Sequence, residues 1–161
     1  LEFYNQALSI QPQSISLLHS LAILYDEIGE WIKSDKIYNQ LIQADSSDAQ
    51  ALNNYAYSLV ERNEKLSLAL AYAKRAIYLE PKNPSYLDTI GWVYFKLDDL
   101  KKAKKYIQQS IEIQGDNAVV LEHLGDILMK SNDLINASSY YKKAYEIDKE
   151  NLRLKNKAYP E

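Results

Sequence analysis

From Pro84 to Asn117 the chain reads PSYLDTIGWVYFKLDDLKKAKKYIQQSIEIQGDN, and units of the same design occur four times in its 161 residues. Successive units begin 34, 35 and 34 residues apart, at residues 15–48, 49–83, 84–117 and 118–151. The extra residue of the second unit falls in a polar turn, where a longer loop costs little free energy. A fixed period of this length is typical of helical repeat proteins, in which each unit buries its apolar face against the next one.

The first half of each unit predicts a helix with one apolar face. Large apolar side chains recur there at spacings of three and four residues, which places them on the same side of a helix. A small residue follows the middle member of each set. Glycine inside a helix costs about 1 kcal/mol relative to alanine, so Gly91 and Gly125 predict close contact with a neighbouring helix. The sets are Leu18, Leu21 and Tyr25; Leu52, Tyr55 and Leu59; Leu87, Ile90 and Tyr94; and Leu121, Leu124 and Leu128.

The second half of each unit predicts another helix, which begins near a small residue: Ser34, Ala69, Ala103 or Ala137. Asn83 before Pro84 indicates an N-cap followed by a first-turn proline. Residues 1–14 fit the second helix of a truncated repeat, which indicates a piece of a longer protein, and residues 152–161 are expected to form a C-terminal tail. The sequence thus predicts a single all-α array with nine helices and no sheet.

Composition narrows the possible functions. Apolar residues make up 47% of the chain and charged residues 25%, while 4 Gly and 4 Pro are too few for a disordered chain or a turn-rich β fold. The net charge of -3 leaves no broad basic face, which argues against nucleic acid as a partner. The absence of cysteine excludes disulfides and thiolate metal sites. No apolar run approaches the roughly 18 residues of a membrane span, so we expect no membrane insertion.

The chain contains residue types that take part in catalysis in enzymes, but they form no catalytic motif here. His19 and His123 lie in different units, and neither has a second histidine at metal-ligand spacing. Glu122, His123 and Asp126 are the best metal-ligand candidates, but Glu122 and Asp126 one turn apart are typical of a solvated acidic helix face. The chain has no glycine-rich phosphate loop and no serine-centred elbow. We therefore expect no catalytic residue, no metal, no cofactor and no enzymatic activity.

The recurring residues resemble the tetratricopeptide repeat (TPR) family, and residues 86–94, YLDTIGWVY, are similar to its bacterial members. The resemblance implies a TPR-type α-solenoid, a right-handed superhelix of antiparallel helix pairs whose first helices line a concave groove. It also implies a protein-binding scaffold or adaptor. The family's exit proline is present at Pro12 and Pro81 and is replaced in the other turns by Ser46, Gly115 and Lys149.

The groove implied by this resemblance is lined by first-helix residues that the core does not use. Six of them are acidic and two are basic, a formal balance of −4. The four units contribute His19, Ile23, Asp26 and Glu27; Asn53, Asn54, Tyr57, Val60 and Glu61; Asp88, Trp92, Phe95 and Lys96; and Glu122, Asp126, Met129 and Lys130.

Aromatic residues indicate where a ligand would bind. Trp92 and Phe95 are one turn apart, and Tyr57 occupies the place of Trp92 in the preceding unit, so we expect one aromatic patch. Flat rings beside carboxylates suit a peptide with apolar side chains and Lys or Arg. The alternative interpretation of Trp92 is core packing between adjacent units.

A family-type clamp for the C-terminal carboxylate of chaperones does not fit the sequence. Asn54 matches one asparagine of that clamp, but its basic places hold His19, Ser85 and Thr89.

Two functional hypotheses follow from the sequence. The first is an interaction module that binds a peptide or protein segment in its groove. The second is a structural or self-assembling spacer within a larger multi-repeat protein, with self-association through exposed apolar residues of the N-terminal helix. The sequence leaves the partner and the compartment, cytoplasm or bacterial envelope, open.

Overall fold

The computed structural model describes residues 10–11 and 14–160. In this part of the chain all regular structure is helical, and no helix is long and apolar enough to cross a membrane. The predicted all-α fold is confirmed. Two compact units are present, Leu1–Leu79 with α1–α4 and Glu80–Glu161 with α5–α9. The helices are α1 (Ile15–Glu27), α2 (Trp31–Ala44), α3 (Ala49–Glu61), α4 (Leu66–Leu79), α5 (Pro84–Lys96), α6 (Leu100–Ile113), α7 (Ala118–Lys130), α8 (Leu134–Ile147) and α9 (Leu152–Ala158).

The predicted and observed sets of helices differ at the chain ends. The N-terminal helix predicted within residues 1–14, with its role in self-association, falls mostly on residues 1–9 and 12–13, which lie outside the described residues. At the other end, the segment expected to be a tail forms the seven-residue helix α9.

The first unit is built around tyrosines in addition to aliphatic residues. Tyr38 of α2 and Tyr55 of α3 are 1% and 2% exposed, and their rings stack with centroids 5.3 Å apart. The Tyr38 hydroxyl donates to Asp26 of α1 at 2.9 Å, which gives the buried ring a partner for its polar end. Alanines fill the buried face of α4, at Ala69, Ala73 and Ala76, and let that helix pack closely against α3.

In the second unit, the start of α5 and the close contacts between helices agree with the predictions from the sequence. The Asn83 side chain accepts from the backbone N–H groups of Ser85 and Tyr86, and Pro84 is the first residue of α5. A Cβ added at Gly91 would lie 2.7 Å from Cδ1 of Ile107 on α6. One added at Gly125 would overlap the ring of Tyr141 on α8. Both glycines therefore permit the close helix contact predicted for them.

Helix α9 covers the end of the second unit. The Asn151 side chain caps it by accepting from the backbone N–H of Leu154 at 3.2 Å. Leu154 is 1% exposed and packs with Leu121 of α7 and Ala144 of α8. This short helix thus covers apolar surface that α7 and α8 would otherwise expose.

Candidate functional site

A stack of three rings lies on the first helices of the second unit. The Asp88 carboxylate on α5 is 2.8 Å from Nδ1 of His123 on α7. Trp92, one turn after Asp88, stacks on the His123 ring with centroids 4.0 Å apart and on the Phe95 ring with centroids 4.6 Å apart. Trp92 is only 6% exposed, so most of its ring surface contacts the chain itself. Phe95, at the outer end of the stack, is partly exposed.

Next to this stack, four side chains reach solvent and form what we call the unit 2 patch: Phe95, Lys96, Met129 and Lys130. The Lys96 ammonium lies 5.0 Å from the Trp92 ring centroid, and that of Lys130 lies 5.2 Å from the Phe95 ring centroid. Lys130 also pairs with Asp98 at 2.7 Å. Met129 is 44% exposed. The patch therefore combines apolar surface with two cations.

The acidic residues predicted for this unit have partners within it. Glu122 is 3% exposed, and each of its oxygens is 2.8 Å from a cation of α9, one from Arg153 and one from Lys157. Asp126 pairs with Lys157 and accepts from the Tyr141 hydroxyl at 2.7 Å. Burial, reinforced by the Asp126 carboxylate, raises the pKa of the Tyr141 phenol well above its ordinary value. Helix α9 thus neutralises most of the negative charge that the sequence places on α7.

The first unit carries a cleft of about 620 Å³ along α1, the turn that follows α2 and the start of α3. His19 donates from Nε2 to Asp48 at 2.9 Å. Asp48 uses its other oxygen to cap α3, accepting from the backbone N–H of Ala51 at 2.9 Å. The cleft is lined by Ile15, Ser16, His19, Ser20, Ile23, Asp45, Asp48 and Gln50.

The remaining first-unit residues predicted for the groove lie at different depths. Asn53 and Val60 are buried, Asn54 and Tyr57 are half-buried, and Glu61 is exposed. In α1, Glu27 is exposed, whereas Asp26 accepts from the hydroxyls of Tyr38 and Ser58 at 2.9 and 2.8 Å. Tyr57 and Trp92 belong to different units, so the three-residue aromatic patch stays a prediction.

Sequence reasoning missed Arg153 and Lys157, because residues 152–161 were expected to be a tail. A signal was present: Asn151 stands in the same place of the repeat as Asp48, Asn83 and Asn117, the residues that cap first helices. A further first helix was therefore indicated after Asn151. Among the described residues, no group of three or more His, Asp or Glu side chains is arranged to hold a metal ion.

Comparison with known proteins agrees with the repeat pattern. The family model described as Tetratricopeptide repeat matches residues 84–117 and 118–151. The TPR repeat-containing protein PA4667 of Pseudomonas aeruginosa is 27% identical over 101 residues, which cover 63% of this chain and 17% of that protein. The TPR repeat-containing protein MJ1428 of Methanocaldococcus jannaschii is 29% identical over 114 residues, 64% of this chain and 20% of that protein. The matched part thus spans about a fifth or less of these relatives' length.

Solved structures show the same fold over most of the chain. Pseudomonas aeruginosa PilF superposes with a TM-score of 0.74 at 25% identity, covering 94% of this chain and 68% of that one. TTC0263, a TPR protein of Thermus thermophilus, superposes with a TM-score of 0.83 at 21% identity, covering 96% and 84%. Together with the four 34- or 35-residue units and their paired helices, these matches support a protein of the tetratricopeptide repeat family, whose model matches residues 84–151 of this chain.

Proposed function

We propose that this chain binds a peptide or protein segment on the face of its first helices and thereby acts as a scaffold or adaptor. Tetratricopeptide repeats are in general protein-interaction modules without enzymatic activity. YrrB, a TPR protein with an unusual peptide-binding site, shares the fold with a TM-score of 0.67 at 20% identity, covering 96% of this chain and 79% of that one. The fold is thus compatible with peptide binding.

The observation that carries the proposal is the unit 2 patch. Phe95 and Met129 occupy the same place in successive first helices, as do Lys96 and Lys130. Methionine adapts its shape to different apolar partners, and the aliphatic stems of lysines extend the apolar surface around it. We therefore assign apolar side chains of the bound segment to Phe95 and Met129.

We assign no basic side chain of the bound segment to the second unit. Asp88, Glu122 and Asp126 already have His123, Arg153 and Lys157 as partners. A new cation there would have to displace a partner that the chain holds in place.

The experiment selects peptides from a display library on the full chain and measures their affinity by fluorescence anisotropy. Met129→Glu places a charge at an exposed apolar position of the patch and is expected to weaken binding by about tenfold or more, the size of a modest hot spot. Ile135→Glu is the matched control, because Ile135 is 86% exposed but lies on the second helix α8. Its affinity should equal that of the unchanged chain.

Two outcomes would contradict the proposal. Peptides that bind the Met129→Glu chain as tightly as the unchanged chain would place the interaction on another surface. If no peptide is selected and the chain assembles as its concentration rises, the structural or self-assembling spacer explains the protein better.

A further inference from the structure

We propose that the segment bound at the unit 2 patch carries carboxylate groups, from Asp or Glu, beside its apolar side chains. The inference rests on the proposed function and adds the charge of the ligand to it. Three observations carry it: lysines flank the apolar surface of the patch, the carboxylates of α5 and α7 lie deeper than the cations around them, and the first unit has the opposite charge at the same place of the repeat.

Lysines stand directly beside both apolar side chains of the patch. Lys96 follows Phe95 at the end of α5, and its ammonium lies 5.0 Å from the Trp92 ring centroid. In the part of the chain that the structure describes, Lys96 forms no ion pair with a carboxylate. An ammonium carries three N–H donors, so a ligand carboxylate can bind Lys96 without displacing an ion pair.

Lys130, which follows Met129 at the end of α7, is also open to a ligand carboxylate. Its present partner, Asp98, lies 2.7 Å away, and the two side chains are 46% and 73% exposed. An ion pair as exposed as this one adds little to stability, because water screens both charges. A carboxylate of the ligand can therefore replace Asp98 or bind beside it at small cost.

The carboxylates of α5 and α7 lie deeper than the cations around them. The side chain of Glu122 is 4% exposed, whereas that of its partner Arg153 is 69% exposed. Asp126 is likewise less exposed than its partner Lys157, and Asp88 is buried. A ligand on this face of the second unit therefore meets positive charge first, which favours negative charge in the ligand.

The same place of the repeat has the opposite charge in the first unit. Helices α1 and α3 end in Glu27 and Glu61, whereas α5 and α7 end in Lys96 and Lys130. A basic residue at the end of a helix complements the helix dipole, but this effect is the same for all four helices. The helix dipole therefore does not account for the change of sign, and a carboxylate in the ligand of the second unit does.

This site differs from the family-type clamp for a C-terminal carboxylate. The basic places of that clamp correspond in α5 to Ser85 and Thr89, which lie in the first half of the helix, whereas Lys96 is its last residue. The ligand proposed here needs no free C-terminus, because its carboxylates come from side chains.

The test uses three pentapeptide probes and the full chain. Acetyl-Leu-Glu-Phe-Glu-Leu-amide carries the carboxylates, and its two counterparts have Gln or Lys in place of Glu. Met129 is the one methionine of the sequence, so its methyl signal in ¹H–¹³C NMR spectra reports binding at the patch. We expect the Glu probe to shift this signal and to bind about tenfold more tightly than the Gln probe, as for two screened ion pairs. The Lys probe should bind most weakly, and added salt should reduce the preference for Glu over Gln.

Lys96→Gln and Lys130→Gln each remove one ammonium and keep most of the aliphatic stem. Each should weaken binding of the Glu probe about three- to fivefold and leave the affinity for the Gln probe unchanged. Lys105→Gln is the matched control, because it changes the net charge equally and Lys105 is exposed on the second helix α6. It should leave both affinities unchanged. All three lysines reach solvent, so the variants are expected to keep the fold, which circular dichroism checks.

Three results would overturn the inference: equal binding of the Glu and Gln probes, weakening by Lys105→Gln equal to that of the two patch variants, or no shift of the Met129 signal with any probe at millimolar concentration. The library peptides decide the proposed function separately. If they still respond to Met129→Glu, only the assignment of carboxylates is wrong. If they bind the Met129→Glu chain as tightly as the unchanged chain, the proposed function fails as well.

Discussion

Gly125 offers a sharp test of the packing between the two helices of a repeat. It lies on α7 against Tyr141 of α8, where an added Cβ would overlap Cε1 of the ring and lie 2.6 Å from Cδ1. Tyr141 is 3% exposed, and its hydroxyl donates to Asp126 at 2.7 Å. The ring is therefore enclosed by its neighbours and fixed by its hydroxyl group, so it has little room to move away.

The expected size of the effect follows from two opposing contributions. Replacing glycine by alanine inside a helix stabilises it by about 1 kcal/mol. Forcing an extra methyl group into a filled core costs about 1–3 kcal/mol, and the fixed ring places this substitution near the upper end. Gly125→Ala should thus destabilise the fold by about 2 kcal/mol, which lowers the melting temperature by about 4–8 °C in a chain of this size.

Urea unfolding followed by circular dichroism at 222 nm measures this change. Gly115→Ala is the matched control, because a Cβ there would meet its nearest neighbour, the Ile111 carbonyl oxygen, at an ordinary 3.6 Å. In a Tyr141→Ala background the overlap is gone, and Gly125→Ala should stabilise the fold by about 1 kcal/mol. Equal destabilisation in both backgrounds would refute the steric explanation.

Two further substitutions test the buried contacts of the second unit. Trp92→Ala should cost about 3–5 kcal/mol of folding stability in the same urea assay, because the ring is 6% exposed between two other rings. Native stability together with weaker peptide binding would instead make Trp92 a binding residue. Leu154→Ala should cost about 2–5 kcal/mol by loosening α9, whereas Leu152→Ala, at a position 71% exposed, should change stability by less than about 0.5 kcal/mol. Equal effects of the two leucine variants would mean that α9 does not stabilise the unit.

The sequence was sufficient to predict the helices and their contacts because those depend on local spacing. The place of Asn83 before Pro84 marked the start of α5, and the glycines at 91 and 125 marked close helix contacts. Helix α9 was missed because its seven residues are too short for a clear apolar period. Its position became predictable only from Asn151, which repeats the capping place of the earlier units.

The chemistry of the first-helix face was harder to predict than the fold, because exposure there depends on contacts that are distant in the sequence. Trp92 and Phe95 both lie on α5 and have the same local sequence pattern. Trp92 is covered by the ring of His123, a residue of α7 that lies 35 positions after its partner Asp88 in the sequence, whereas Phe95 is partly exposed. A list of first-helix residues cannot separate these two cases. It therefore predicts which side chains lie near the face but not which of them a ligand can reach.

In the second unit, charge on this face follows a rule that connects each first helix with the next one. The fifth residue of α5, Asp88, meets the sixth residue of α7, His123, and the fifth residue of α7, Glu122, meets the sixth residue of α9, Lys157. Each repeat thus determines how much of the preceding repeat's charge remains available, so a sum over the face overstates its acidity. In the first unit the corresponding residues of the next helix, Gln50 and Asn54, are neutral and offer no such pairing.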